Sequence, residues 1–186
     1  MARCGSQFYN APLLGGWWFD VPDPDPLPLP RGVHNYAEVE FDVRGIVQLD
    51  YQQLGLIDGF HFPRAVTGVP IQRAVRRVHL LYGSETAQPR WPAASYILHY
   101  ADGHQIEIPI LDEPNVRSWE IGEMREPFSP NSCIAWRGHL LERSGDPRIA
   151  MLYRRTWDNP TPAVEIDRID FVAKDYYPFL LGITVE

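Results

Sequence analysis

Apolar and polar residues alternate along much of the chain, and the clearest alternation runs from Ser95 to Ile110. Two alternating runs there flank the dipeptide Asp102-Gly103. An Asp-Gly pair between such runs is the strongest short-range signal for a β-hairpin. The pattern predicts two antiparallel strands joined by a two-residue turn, with Ala101 opposite His104.

This turn divides the hairpin side chains between two faces. The face that we expect to meet the core carries Ile97, His99, Ala101, His104, Ile106, Ile108 and Ile110, and the other carries Tyr96, Leu98, Tyr100, Gln105 and Glu107. The second face has two interpretations: an exposed aromatic platform, or a covered face whose tyrosines bond through their hydroxyls. A shift of one residue in the pairing register would exchange the two faces.

The rest of the body shows short apolar or alternating runs between turn residues, and no stretch keeps a helical period beyond two turns. Further strands are predicted at 41–49 with a break near Arg44-Gly45, and at 66–70, 77–82, 115–121, 133–136, 149–157, 165–173 and 179–185. Many short strands separated by turns are typical of an all-β protein. We therefore predict one antiparallel β-sandwich, or jelly roll, over residues 34–186.

Residues 1–33 differ from the body. Trp17, Trp18 and Phe19 precede a stretch in which every second residue from Pro22 to Pro30 is proline. Such spacing forbids helix and favours an extended, polyproline-like arm. The arm is either a linker or a segment that buries its aromatic residues on its own domain or on a neighbouring molecule, since these side chains are costly to leave in water.

Charge and composition narrow the partners and the compartment. The formal net charge is -7, which argues against a nucleic-acid partner. No apolar run is long enough for membrane insertion as a helix, and the N-terminus lacks the apolar region of a signal peptide. Localisation stays open: cytoplasmic, or extracellular or cell-surface if the start is processed or truncated. Cys4 and Cys133 either form one bridge or stay free thiols.

Catalytic and metal-binding signatures were sought among the six histidines and the many carboxylates. No histidine pair has a metal-ligand spacing, and neither a nucleophile elbow nor a phosphate-binding glycine loop occurs. We therefore predict no catalytic residues, no metal ligands and no cofactor, and classify the chain as a non-enzyme. The alternative is a hydrolase, which would need a close pair of carboxylates in a groove.

Tryptophans in or beside predicted strands are the better functional signal. Trp119, Trp136 and Trp157 lie close in sequence to planar polar side chains, namely Arg117, Arg137, Arg155 and Asn159. A flat ring stacks on the C–H face of a sugar while polar groups bond its hydroxyls. The predicted ligand-binding set is Trp119, Trp136, Trp157, Asn159, Arg117, Arg137, Tyr96 and Tyr100. The alternative is that each tryptophan belongs to the core.

Several segments resemble one module family. In order they are FDVRGIVQL at 41–49, FPRAVTGVPIQRAVRRVHLLYGS at 62–84, ASYILHYADGHQIEIPI at 94–110, NVRSW at 115–119, AWRG at 135–138, YRRTWDNPTPAVEIDRIDFVA at 153–173 and PFLLGITV at 178–185. Together they resemble the galactose-binding-like β-sandwich module of large planctomycete and verrucomicrobial proteins, where it occurs beside FecR-like, kinase-like or glycosidase-like parts. The resemblance implies a jelly roll with a role in carbohydrate binding or adhesion.

Two functions follow as expectations. The first is a non-catalytic module that binds a glycan or a polymeric cell-surface ligand. The alternative is a structural subunit of a self-assembling layer, filament or complex, a homo-oligomer joined through Trp17, Trp18 and Phe19 of the arm. Related sandwiches often hold a structural calcium through Asp oxygens and backbone carbonyls, so this ion is the one exception to the expectation of no cofactor.

Overall fold

A computed structural model describes residues 31–50, 62–85, 91–118, 120–121, 129–141, 147–175 and 177–186. All helical or extended structure in these residues is β-strand, in the order β1 Gly32–Tyr36, β2 Val39–Val43, β3 Val47–Gln48, β4 Ala65–Ala74, β5 Arg77–Glu85, β6 Pro92–Tyr100, β7 Gln105–Leu111, β8 Glu120–Ile121, β9 Ser132–Leu141, β10 Pro147–Asp158, β11 Glu165–Ala173 and β12 Tyr177–Val185. Within this part of the chain no helix is long and apolar enough to cross a bilayer.

Two antiparallel sheets form the body. The larger has six strands in the order β3-β12-β5-β10-β8, with β9 also paired to β10, and the smaller has four in the order β4-β11-β6-β7. A separate hairpin, β1-β2, completes the described strands. The prediction of an all-β antiparallel sandwich is confirmed.

The main core lies between the two sheets, and β5 shows how the sequence produces it. Val78, Leu80 and Tyr82 alternate along β5 and belong to this core. Leu81 points the other way and joins a second cluster with Tyr36 and Phe41 of the β1-β2 hairpin. Because both faces of β5 are covered, its sequence is a nearly continuous apolar run rather than an alternating one.

The β6-β7 hairpin forms as predicted, but its register differs by one residue. Tyr96 pairs with Ile108 and Leu98 with Ile106. The loop holds three residues rather than two, because the Tyr100 N–H donates to the His104 carbonyl oxygen at 3.0 Å.

This register overturns the predicted assignment of faces for β6, whereas the predicted faces of β7 are confirmed, with Ile108 and Ile110 buried and Gln105 and Glu107 exposed. The core face carries Tyr96, Leu98, Tyr100, Ile108 and Ile110. Ile97 and His99 lie on the opposite face, as do the exposed Gln105 and Glu107.

Strand β4 is an edge of the smaller sheet among the described strands, and it is irregular. Its pairing with β11 shifts register twice. Gly68 within it has φ 77°, and Pro70 has no N–H to donate. Both β4 and β9 are longer than the predicted strands at 66–70 and 133–136, whereas the structure describes only Glu120–Ile121 as strand in the region predicted at 115–121.

Candidate functional site

The two hairpin tyrosines of the predicted binding set lie in the core. Tyr96 is 1% exposed and Tyr100 is 4% exposed. The Tyr96 ring stacks on Phe171, with centroids 4.8 Å apart and planes 9° from parallel. The interpretation of this face as an exposed aromatic platform is therefore wrong, because the register places both rings between the sheets.

Asn159 is also buried, and its side chain is occupied by structural contacts. Its Oδ1 accepts from the Tyr100 hydroxyl at 2.7 Å and from the Thr161 N–H at 3.0 Å. Its Nδ2 donates to the Val75 carbonyl at 2.8 Å. Asn159 thus fixes the turn after β10 against β6.

The tryptophan candidates do not gather on one described face. Trp136 is half-buried and packs against the second cluster, where its ring lies so close to Gly138 that a Cβ at that position would be 2.0 Å from it. Trp157 packs against the main core instead. Trp119 lies outside the described residues.

The remaining candidates are separate from one another. Arg137 is exposed on β9. The Arg117 guanidinium lies 3.9 Å from the Glu113 carboxylate. Trp17, Trp18, Phe19 and Cys4 lie outside the described residues, so the assembly arm and the pairing of Cys4 with Cys133 stay predictions.

An unpredicted arrangement lies on β10, where one face of the strand changes from buried to partly exposed. Met151 and Tyr153 are fully buried, whereas Arg155 and Trp157, the next two residues on that face, are only partly buried. The ladder between β10 and β9 ends at the Arg155–Ser132 pair. Trp157 therefore lies where β10 has lost this neighbour, at a rim of the sandwich.

Arg155 crosses from the larger sheet to the smaller one. Its Nη1 donates to the carbonyl oxygen of Pro109 on β7 and to Oδ1 of Asn115 at 2.9 Å. Asn115 is buried and held in place, since its Oδ1 also accepts from the Leu111 N–H at 3.0 Å and its carbonyl accepts from the Tyr82 hydroxyl at 2.8 Å. We call Arg155, Trp157, Asn115, Tyr82 and Tyr96 the Arg155 site.

The Arg155 site holds a positive charge among neutral groups. No carboxylate in the described part of the chain pairs with Arg155, and burial lowers the pKa of its guanidinium. Burial raises the pKa of Tyr82 and of Tyr96, and the Arg155 charge partly opposes both increases. Arg155 Nε and the Tyr96 hydroxyl are buried and, within the described residues, have no hydrogen-bond partner.

A polar cluster of His79, Thr156 and Glu186, which we call the His79 cluster, lies on the outer face of the larger sheet. His79 is buried and donates from Nε2 to Glu186 Oε1 at 2.7 Å, while its Nδ1 is 2.9 Å from Thr156 Oγ1. This is the order of a carboxylate–histidine–hydroxyl triad. The Thr156 hydroxyl, however, also accepts from Arg154 at 3.1 Å. The cluster joins β5, β10 and the end of β12, and we assign it a structural role.

The described residues contain no group of three or more His, Cys, Asp or Glu side chains that could hold a metal ion. Cys133 lies on β9 with its Sγ 3.4 Å from Arg154 Nη2. The structural calcium stays a prediction.

Comparison with protein-family models, with curated proteins and with solved structures finds no match to this chain. The galactose-binding-like resemblance thus stays a prediction, and the functional argument depends on the residues of the Arg155 site.

The predicted ligand-binding set left out Arg155, although the sequence places it beside Trp157 and carries a signal for the direction of its side chain. In YRRTW, residues 153–157, the alternate residues Tyr153, Arg155 and Trp157 share one face of a strand. Since Tyr153 and Trp157 suit a core face, the arginine between them had to point inward as well.

Proposed function

We propose that this protein is a non-catalytic binding module for carbohydrate or a carbohydrate-like surface polymer, and that it contacts the ligand through the Arg155 site. The observation that supports the proposal is the pairing of a partly exposed indole, Trp157, with a guanidinium that has no carboxylate partner in the described structure. Both lie on one face of β10 at the rim of the sandwich. An indole stacks on the apolar face of a sugar, and guanidinium N–H groups bond its oxygens.

The acid–base character of the Arg155 site favours binding over catalysis. Its titratable groups are a guanidinium and phenols whose pKa is raised by burial. Neither kind of group exchanges protons readily near neutral pH, where general acid–base catalysis operates best with a pKa close to the working pH.

The contacts of Arg155 also suit a binding role, because the guanidinium is positioned before any ligand arrives. Nη1 is held by acceptors from two segments, Pro109 on β7 and Asn115 in the turn after it. A group held in this way loses little conformational entropy when a ligand binds.

The proposal is tested by affinity electrophoresis of the folded protein through gels that contain neutral and acidic polysaccharides. We expect retardation by at least one glycan, and we expect Trp157→Leu to weaken it by about tenfold, a loss of roughly 1.4 kcal/mol that is typical of one aromatic contact. Leucine keeps apolar volume in the core but removes the flat ring.

The matched control is Trp136→Leu, which removes another partly buried indole that packs on the second cluster. This variant should be retarded like the wild type. Migration unaffected by every glycan, or equal weakening by both substitutions, would contradict the proposal.

A further inference from the structure

We propose that the ligand of the Arg155 site carries an oxyanion, a carboxylate or a sulfate, which binds the Arg155 guanidinium. This inference rests on the proposed carbohydrate-binding function and adds the chemical class of the sugar: an acidic one.

The first argument is the charge of the site. Removing a guanidinium from water is costly unless an opposite charge or full hydrogen bonding compensates it. Three other described arginines, Arg44, Arg77 and Arg168, each pair with an aspartate, whereas Arg154 bonds the neutral Thr156 and Cys133 side chains. The chain has 24 acidic residues for 17 basic ones. Arg155 is nevertheless bound only by a neutral carbonyl and a neutral amide oxygen.

The second argument is the set of unused donors. Arg155 Nε and the hydroxyl of the fully buried Tyr96 have no hydrogen-bond partner among the described residues. The Arg155 charge partly opposes the increase that burial causes in the pKa of the Tyr96 phenol. A planar or tetrahedral oxyanion accepts several hydrogen bonds at once and is the natural partner of a guanidinium. Neutral sugar hydroxyls would leave the positive charge uncompensated.

The third argument concerns how such a ligand is recognised. The net charge of -7 repels an anionic polymer at long range. Recognition must therefore come from contact with Arg155, and a partly buried ion pair is screened by salt far less than a surface one. The predicted affinity for an acidic glycan should consequently fall little with ionic strength, unlike binding to an exposed basic patch.

The experiment compares polymers that differ only in charge. Isothermal titration of the wild-type protein is carried out with polygalacturonate and its methyl-esterified form, and with a sulfated galactan and its desulfated form. We expect the charged member of at least one pair to bind at least about tenfold more tightly, as one well-placed charged contact provides. The two pairs distinguish a carboxylate from a sulfate.

Two neighbouring substitutions then locate the contact. Arg155→Gln should abolish the preference for the charged polymer. Arg154→Gln removes the same charge from the next residue, whose side chain bonds Thr156 and Cys133 instead, and should leave the preference intact. If Arg155→Gln fails to fold, Tyr96→Phe replaces it and should reduce the preference several-fold while the fold is kept.

Each remaining outcome is decisive. Equal affinity for the charged and neutral members of both pairs would overturn the oxyanion inference while leaving carbohydrate binding in place. Binding to none of the four polymers, together with no retardation by any glycan in the gels, would overturn both. Equal loss of preference in the Arg155 and Arg154 variants would show that overall charge, not the site, selects the ligand.

Discussion

At the scale of single residues, Tyr96 and Tyr100 lie on the same buried face of β6, on either side of Leu98, and their hydroxyls have different contacts. The Tyr100 hydroxyl donates to Asn159 at 2.7 Å. The Tyr96 hydroxyl is buried and, among the described residues, has no hydrogen-bond partner. A buried polar group without a partner lowers stability, whereas a buried hydrogen bond contributes to it.

We therefore predict opposite results for the same chemical change at the two positions. Tyr100→Phe should lower the free energy of unfolding by about 1 kcal/mol, because Asn159 Oδ1 loses one of its donors. Tyr96→Phe should leave it unchanged or raise it slightly. Denaturant unfolding with comparable m-values checks both variants, and a Tyr96→Phe loss equal to that of Tyr100→Phe would be inconsistent with the contacts described.

The same comparison separates stability from binding at Tyr96. If its hydroxyl serves an oxyanion, Tyr96→Phe weakens the preference for acidic glycans while the protein becomes no less stable. A loss of binding without a loss of stability is expected where a functional group lowers the free energy of unfolding.

At the scale of elements, the β6-β7 hairpin shows what its sequence could and could not determine. The Asp102-Gly103 dipeptide correctly located the turn. It did not decide between a two-residue and a three-residue loop, because both accommodate a glycine with positive φ. On β6, both the face of Tyr96, Leu98 and Tyr100 and the face of Ile97 and His99 carry large apolar side chains, so alternation alone did not decide which face meets the core.

Gly103 tests the loop that the structure contains. It has φ 91°, and a Cβ added there would meet no atom within 4 Å. Gly103→Ala should therefore destabilise the protein through backbone strain alone, by roughly 1–2 kcal/mol. Gly103→Asn should cost less, since asparagine tolerates this conformation better. Thermal or denaturant unfolding of the two variants measures the difference. An alanine variant as stable as the wild type would rule out a positive φ at position 103.

Asp102 gives a complementary result for the same loop. A two-residue Asp-Gly turn of type I′ requires positive φ at both central positions, but of Asp102 and Gly103 only Gly103 has it here. Asp102→Ala should consequently lose only the contacts of its carboxylate with His104, and should not incur the backbone penalty seen at position 103.

In other strands too, the local sequence pattern predicted the position of the strand, whereas the extent of its pairing and its contacts became visible only in the structure. The strand predicted at 165–173 coincides with β11, because its alternation is clear and turn residues bound it. Strand β4 extends past the predicted 66–70, and its last three residues, Gln72, Arg73 and Ala74, are all exposed and so give no apolar–polar alternation to mark a strand. The inward direction of Arg155 follows from its position between Tyr153 and Trp157 on one face of β10, whereas its contacts with Pro109 and Asn115 depend on the packing of the two sheets, which the sequence pattern did not reveal.

At the scale of the whole molecule, the His79 cluster links three strands of the larger sheet. His79 on β5 bonds Glu186, which follows β12, and lies against Thr156 on β10. Arg77 adds a second contact to Glu186 at 3.3 Å. The hydrogen bond from His79, followed by that from Arg77, lowers the pKa of Glu186.

This lowered pKa makes part of the stability depend on pH. The folded state favours the ionised carboxylate. The contribution of Glu186 to the free energy of unfolding is therefore present above the pKa of its carboxyl in the unfolded chain, about 4.3, and is lost as the pH falls through its lower pKa in the folded protein. We predict that the wild type melts at a higher temperature than Glu186→Gln near neutral pH, and that the gap closes in acid.

Thermal melts of both proteins across this range test the prediction. Glu165→Gln, which removes one negative charge from an exposed position on β11, corrects for the change in net charge. A gap between wild type and Glu186→Gln that stays constant down to the most acidic melt would contradict the assignment.

The irregular edge of β4 has a consequence for the behaviour of this protein in concentrated solution. A straight ten-residue edge would present a regular row of N–H and C=O groups to a strand from another molecule, which is how fibrillar aggregates begin. Here Pro70 lacks one donor, and the two register shifts bend the row at separate points. We therefore expect that strands from other molecules do not pair with β4 when the protein is concentrated. A protein this rich in β-structure should then stay free of fibres that begin at this edge.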